Sequence, residues 1–134
     1  MGFIKNYYDA HFLPILVEKI CSGFDFMALR EKKLKEISGI GLELGVGVGL
    51  NLKYYSDKVT KLYIIEPCEK SMTRALEAAK ECTFEVIPVY YTEDNKIPLP
   101  DESLDFINST WTICTIPDIK SVLIEVKRLL KEKG

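Results

Sequence analysis

Three glycines at alternating positions, together with two acids, are the residues best placed to do chemistry in this chain. The segment LELGVGVGLN (42–51) carries Gly45, Gly47 and Gly49 directly after a short apolar run. Glycine allows positive φ angles and lets a ligand approach the backbone closely. Glu66 ends the next apolar run about 20 residues after Gly45, the spacing at which an acid commonly binds ribose hydroxyls. This pattern predicts a site for a nucleotide-like cofactor rather than a ligand-free turn.

The details of the loop narrow the choice of ligand. A dinucleotide fingerprint reads G-x-G-x-x-G, and Leu50 stands where its third glycine would be. No G-K-[ST] follows, so a P-loop is excluded. Glu43 lies two residues before the first glycine, where its charge disfavours a pyrophosphate and suits a ligand with positive charge.

The elements that must position this loop alternate between strands and helices from residue 40 onward. Apolar runs predict strands at 40–44, 61–66, 83–89 and 104–108, and helical spacing predicts helices at 71–81 and 118–131, capped by Ser71 and Asp118. Helical spacing also appears over residues 3–21 and 26–37. We therefore predict an α/β, Rossmann-like doubly wound, mostly parallel sheet, with an N-terminal helical cap over residues 1–38 and a core over 39–134.

Composition excludes several other classes of protein. The 134 residues include 18 Lys plus Arg and 20 Asp plus Glu, and the net charge of −2 argues against a nucleic-acid partner. No apolar run is long enough for a membrane span and no secretory signal is visible, which favours a cytoplasmic protein. The four cysteines form no C-x-x-C pair, and His11, the single histidine, cannot complete a zinc site with them. We expect reduced thiols and no metal; a catalytic Cys–His pair at His11 is the less favoured alternative.

The motifs also resemble, in order, those of a known family. ELGVGVG resembles motif I of class I S-adenosylmethionine (SAM)-dependent methyltransferases, and IIEP resembles the acid that ends their second strand. Three later segments are similar to the "methyltransferase type 11" group: IPLPDESLDFI, WTICTIPD and EVKRLLKEKG. The resemblance runs from about residue 40 to residue 134. The order of the elements predicts a strand order of 3-2-1-4, and the resemblance implies SAM over the carboxyl ends of strands one and two.

The resemblance also implies a set of cofactor contacts. The acid and glycines of the loop would surround the methionine part and the ribose, and Glu66 would bind both ribose hydroxyls. Asn95 stands where the family has an acid for the adenine, unless a loop shift brings Asp94 or Glu93 there. Tyr7, Tyr8 and His11 would belong to the cap. The residues assigned to the cofactor are Glu43, Gly45, Gly47, Gly49, Asn51, Glu66, Pro67, Asp94, Asn95, Ser109 and Trp111.

The implied reaction is an in-line displacement in which the protein supplies orientation and a dry pocket. The sequence offers no convincing general base, so no catalytic residue is assigned. Without a basic stripe, a small-molecule acceptor is favoured. Two alternatives stay open: an NAD(P)-binding oxidoreductase domain, and a truncated SAM-binding domain without turnover. Truncation is expected because Gly134 falls where the family continues into a fifth strand and a terminal hairpin.

Overall fold

A computed structural model describes Lys19 and residues 23–134 of the chain. Within these residues, a helix α1 (Phe24–Leu34) precedes strand β1 (Gly39–Leu44), and strand β2 (Val59–Ile65) leads into helix α2 (Glu69–Ala79). Strands β3 (Glu85–Pro88) and β4 (Phe106–Ser109) follow, and helix α3 (Ile119–Leu129) comes last. Short 3₁₀ turns lie at Leu52–Tyr54 and Ile113–Thr115.

The four strands form one sheet in the order β3-β2-β1-β4, and every pair is parallel. In register, Leu44 at the end of β1 stands between Ile65 of β2 and Ser109 of β4. The carboxyl ends of these three strands therefore share one edge, beside the glycine loop. The predicted fold class and strand order are confirmed.

The core has two parts, one on each face of the sheet. Leu62 and Ile64 of β2 pack with Met72 and Ala75 of α2 on one face. On the other face, Leu42 and Leu44 of β1 pack with a cluster that includes Leu129 of α3. Successive side chains on a strand point to opposite faces, so β2 supplies both clusters, with Leu62 and Ile64 on one face and Tyr63 and Ile65 on the other. This is the doubly wound arrangement that the alternation of elements predicts.

Several local predictions need correction. The helix predicted from Ser71 begins at Glu69, and Ser71 is buried inside its first turns rather than capping it. After the glycine loop, the chain forms only a 3₁₀ turn at 52–54 before β2. Strand β4 starts at Phe106, since Leu104 instead forms an isolated parallel bridge with Leu130.

The cap predicted for α3 is confirmed, because the Asp118 carboxylate accepts the Ser121 N–H at 3.1 Å. That helix ends earlier than predicted. The backbone becomes extended at Leu130, directly after Leu129.

Candidate functional site

The glycine loop folds back over the carboxyl end of β2. The N–H groups of Gly45 and Val46 both donate to the Ile65 carbonyl, at 2.9 and 3.1 Å. Gly45 and Gly47 have φ angles of +69° and +58°, a backbone conformation that residues with a side chain rarely adopt. A Cβ atom on Gly45 would collide with the Thr112 side chain, whereas one on Gly47 would meet nothing within 4 Å. Gly47 therefore presents bare backbone to open space.

Glu66 follows β2 and is held by the loop itself. Its Oε2 atom accepts the Gly47 N–H at 3.0 Å, and its Oε1 atom accepts the Cys68 N–H at 3.0 Å. These two bonds fix the direction of the carboxylate. Each oxygen keeps a lone pair that can accept a further hydrogen bond from a ligand hydroxyl.

The loop and Glu66 form one wall of a cavity of about 630 Å³. The opposite wall comes from the segment that joins β4 to α3, including Trp111, Thr112 and Ile116. The strand order reverses between β1 and β4, and the cavity lies at the carboxyl ends of these strands. Such a point of reversal is the usual ligand site of an open α/β sheet. The volume lies within the range of small-molecule and cofactor pockets, which is about 300–1,000 Å³.

A buried polar network lies beneath the loop. The Glu43 carboxylate is 1% exposed and accepts the Asn51 amide at 2.5 Å and the Tyr55 hydroxyl at 2.7 Å. Asn108 in turn donates to the Tyr55 hydroxyl oxygen at 3.0 Å. Burial outweighs these bonds and raises the pKa of Glu43 to about 7. Glu43 was expected at the mouth of the loop, but its side chain points into the core and does not line the cavity.

The cavity brings together seven of the sequence-assigned residues: Gly45, Gly47, Asn51, Glu66, Pro67, Asn95 and Trp111. Besides Glu43, three others lie off its wall. Gly49 packs against Leu52 and α2, and Ser109 has a buried hydroxyl without a partner. Asp94 is exposed and accepts the Thr92 hydroxyl at 2.6 Å, so Asn95, with a φ of +58°, is the residue of that loop that reaches the wall.

Asp105 directly precedes β4 and serves the fold. Its Oδ2 atom accepts the Ile40 N–H at 2.8 Å, and its Oδ1 atom pairs with Lys131 at 2.7 Å. Both contacts tie the start of β4 to its neighbours. The cap residues Tyr7, Tyr8 and His11 lie outside the described residues.

Sequence reasoning missed Arg30 of α1, which is 6% exposed and lines the cavity. One signal could have found it. Arg30 stands four residues after Phe26 and four before the buried Leu34, so all three share the inward face of the helix. The Phe26 ring meets the Trp111 ring edge-on at 4.7 Å, which joins α1 to the far wall of the cavity.

Trp111 has a second unusual feature, a φ of +61°. A bulky residue with positive φ is strained, and such strain clusters at functional sites. Trp111 is 53% exposed, so burial does not account for this conformation. Its backbone places the indole at the rim of the cavity.

Over residue 19 and residues 23–134, no group of three His, Cys, Asp or Glu side chains is arranged to hold a metal ion. Within the same part of the chain, no helix combines the length and apolar character needed to cross a bilayer.

The parallel sheet, the glycine loop after β1 and the acid after β2 define a Rossmann-like α/β domain with its cavity at the strand ends. The family can be named on sequence as well. Residues 42–134 match the methyltransferase domain family. The chain therefore belongs to this family of class I methyltransferases, whose cofactor is SAM.

Curated relatives align with this chain over only part of their own length. Thiol S-methyltransferase TMT1B from Rattus norvegicus is 32% identical over 109 residues, covering 76% of this chain and 44% of that protein. Phosphatidylethanolamine N-methyltransferase from Cereibacter sphaeroides is 29% identical over 94 residues, covering 69% of this chain and 46% of that protein. The chain thus spans less than half the length of these relatives.

Solved structures agree on the fold. A SAM-dependent methyltransferase from Aquifex aeolicus superposes with a TM-score of 0.63 and 29% identity, covering 88% of this chain and 67% of that one. The YcgJ protein of Bacillus subtilis gives a TM-score of 0.66 at 24% identity, covering 81% of this chain and 47% of that one. The second likeness concerns the fold alone.

Proposed function

We propose that this chain binds SAM in the 630 Å³ cavity and directs its methyl group to a small-molecule acceptor. The single observation that carries the proposal is the Glu66 carboxylate, which lines the cavity and is held in direction by two backbone N–H bonds. A rigid carboxylate at the end of the second strand is suited to a pair of ribose hydroxyls.

The residues present fit the cofactor. A Cβ atom added to Gly47 would meet no other atom within 4 Å, so the space beside this residue leaves room for a ligand against the backbone. The amide of Asn95 on the wall can meet an adenine edge. When bound, SAM supplies an activated methyl group on a sulfonium. Glu66, the loop backbone and Asn95 would hold it, and the half-exposed Trp111 would exclude water at the rim.

The acceptor is best argued from the ionisable groups on the cavity wall. Neither carboxylate there is a free base: Glu66 already accepts two N–H bonds, and Asp118 accepts the backbone N–H and hydroxyl of Ser121. Hydrogen bonds of this kind lower the pKa of Asp118. An acceptor that ionises by itself near neutral pH is therefore favoured. A small thiol, with a pKa of about 8.5, meets this need better than an ammonium group. TMT1B, one of the relatives, is named for a thiol acceptor.

The binding proposal can be tested by calorimetric titration with SAM, S-adenosylhomocysteine and NAD. Gly47→Val should weaken SAM binding about 5- to 150-fold, because its side chain would enter the cavity and overpacking costs about 1–3 kcal/mol. Thr83→Val, at an exposed turn, is the matched control and should bind as the unchanged chain does. Binding of NAD without SAM would overturn the proposal in favour of an oxidoreductase domain.

Methyl transfer needs a separate assay. The chain is incubated with methyl-labelled SAM and matched panels of small thiols and small amines, and label is followed in the products. Transfer to thiols ahead of amines is expected. Saturable SAM binding without transfer to any acceptor would instead mark a cofactor-binding domain without turnover.

Two further assignments belong to this proposal. Residues 1–38 form a cap over the cavity, which the contact between Phe26 and Trp111 supports. Trp111 is the only tryptophan in the sequence, so its fluorescence should change on SAM binding, and less so in Phe26→Ala.

The protein acts in the cytoplasm, in keeping with free thiols at Cys68, Cys82 and Cys114. Fractionation of the source cells tests the location.

A further inference from the structure

The cavity wall contains one cation that the fold leaves poorly paired. Among the lysines and arginines at residue 19 and residues 23–134, Arg30 alone lines the cavity. It is 6% exposed, and its Nη1 atom donates a long bond of 3.4 Å to the Asn51 side-chain oxygen. Its Nε atom is buried with no hydrogen-bond partner. A guanidinium carries five N–H donors, so most of its bonding capacity is unused by the described residues.

The buried acid nearby does not supply the missing partner. Both oxygens of Glu43 are already bonded, one to Asn51 and one to Tyr55. No ion pair within 4.0 Å joins Arg30 to an acid in the described part of the chain. Burying a charged group without a partner costs several kcal/mol, so such a group is retained where a ligand completes it.

We infer that Arg30 binds the carboxylate of the methionine part of the cofactor. The inference rests on the proposed function, since it names the partner of one more group in the same cavity. The planar fork of a guanidinium matches a carboxylate with two parallel hydrogen bonds. Glu66 takes the ribose and Arg30 takes the amino-acid end, so the two charges orient the ligand along the cavity.

The position of Arg30 gives this contact a second consequence. Residue 30 precedes the segment 42–134 that matches the family, and it comes from α1 rather than from the sheet. The amino-acid end of the cofactor would therefore be held by the helical cap. Binding of the carboxylate would couple the position of α1 to occupation of the cavity.

The test compares SAM with decarboxylated SAM, which keeps the sulfonium, the amine and the nucleoside and lacks only the carboxylate. Arg30→Met removes the charge at similar length, and Arg30→Lys keeps the charge without the fork. Lys33→Met, an exposed position on the same helix, is the matched control. Calorimetry gives the dissociation constants, and urea unfolding reports whether each variant folds.

Arg30→Met should weaken SAM binding about 10- to 100-fold, because it removes the hydrogen bonds to a charged carboxylate. Its affinity for decarboxylated SAM should change by no more than about twofold, and Arg30→Lys should lie between the two for SAM. Equal losses for both ligands would make Arg30 a structural support of Asn51 and overturn the inference. So would unchanged affinity for both.

The unchanged chain provides a reading that does not depend on a folded variant. It should bind decarboxylated SAM about 10- to 100-fold more weakly than SAM. Equal affinity for the two ligands would overturn the inference while leaving the proposed function intact. Failure to bind either ligand would overturn the proposed function, and the inference with it.

Discussion

The buried acid Glu43 predicts an unusual dependence of stability on pH. Its carboxyl group is 1% exposed on β1, and burial raises its pKa from 4.5 to about 7 despite the bonds from Asn51 and Tyr55. The charge of Arg30 acts in the opposite direction and lowers the value. The perturbation that isolates this group is Glu43→Gln, which removes the ionisation and keeps the shape.

The sign follows from proton counting. Between pH 4.5 and about 7 the folded chain holds a proton on Glu43 that the unfolded chain has released. Stability therefore falls as pH rises through this interval, and the whole penalty is present above pH 7. At about 1.4 kcal/mol for each pH unit, the interval corresponds to about 3 kcal/mol. This is a large part of the 5–15 kcal/mol that is typical for a domain.

The assay is urea unfolding from about pH 5 to about pH 8, without cofactor, for the unchanged chain and for Glu43→Gln. Other acids, such as Glu125 and Asp105, contribute equally to both proteins and cancel in the difference. The new amide can also change stability by an amount that does not depend on pH. Such a change shifts the variant's plot of unfolding free energy against pH without altering its slope. The variant should gain about 2.5 kcal/mol relative to the unchanged chain across this range.

Glu132→Gln serves as the control, since it removes one acid from the exposed end of the chain. Its stability curve should run parallel to that of the unchanged chain. If the Glu43→Gln curve also runs parallel from about pH 5 to about pH 8, Glu43 ionises as an exposed acid does, and the argument from burial is wrong.

Three other substitutions test the packing around the site. Gly41→Ala should cost about 1–3 kcal/mol in urea unfolding, because its Cβ would collide with the Phe106 ring in the sheet. Asp118→Ala should unfold at a lower urea concentration than Asp118→Asn, because asparagine can still accept the Ser121 N–H; equal midpoints would contradict the cap. Arg128→Met should cost about 3 kcal/mol by thermal or urea unfolding, since it leaves a buried acid unpaired; a loss below about 1 kcal/mol would show the pair to be a surface one.

Much of the fold was predictable because its signals are local. The strand order and the cavity edge follow from the alternation of strands and helices and from the glycines after β1. Glu66 was predictable because its spacing from Gly45 reflects the length of one strand–turn–strand unit. The predicted start of α2 at Ser71 was wrong because the helix begins at Glu69, after Cys68, whose side chain forms no cap that could mark the start in the sequence.

The parts of the site that were not predictable depend on tertiary packing. Glu43 looks like a loop acid in the sequence, yet the alternation of side chains along β1 directs it into the core, beside Tyr55. Arg30 lies in a helix whose lysines suggest an exposed face, and its spacing from Phe26 and Leu34 marks an inward face without showing what that face packs against. Short-range patterns carry no information about which distant segment covers a given face.

Asn51 shows how the floor of the cavity is fixed by the chemistry of one side chain. Its amide nitrogen donates to Glu43 and, at 2.8 Å, to the Thr110 hydroxyl, so its oxygen is left to accept from Arg30. Three segments, α1, β1 and the chain after β4, thus meet on one amide. An aspartate here would set a second carboxylate against Glu43 and supply no donor to either partner. The floor therefore requires an amide, and the direction of that amide presents the remaining donors of Arg30 to whatever fills the cavity.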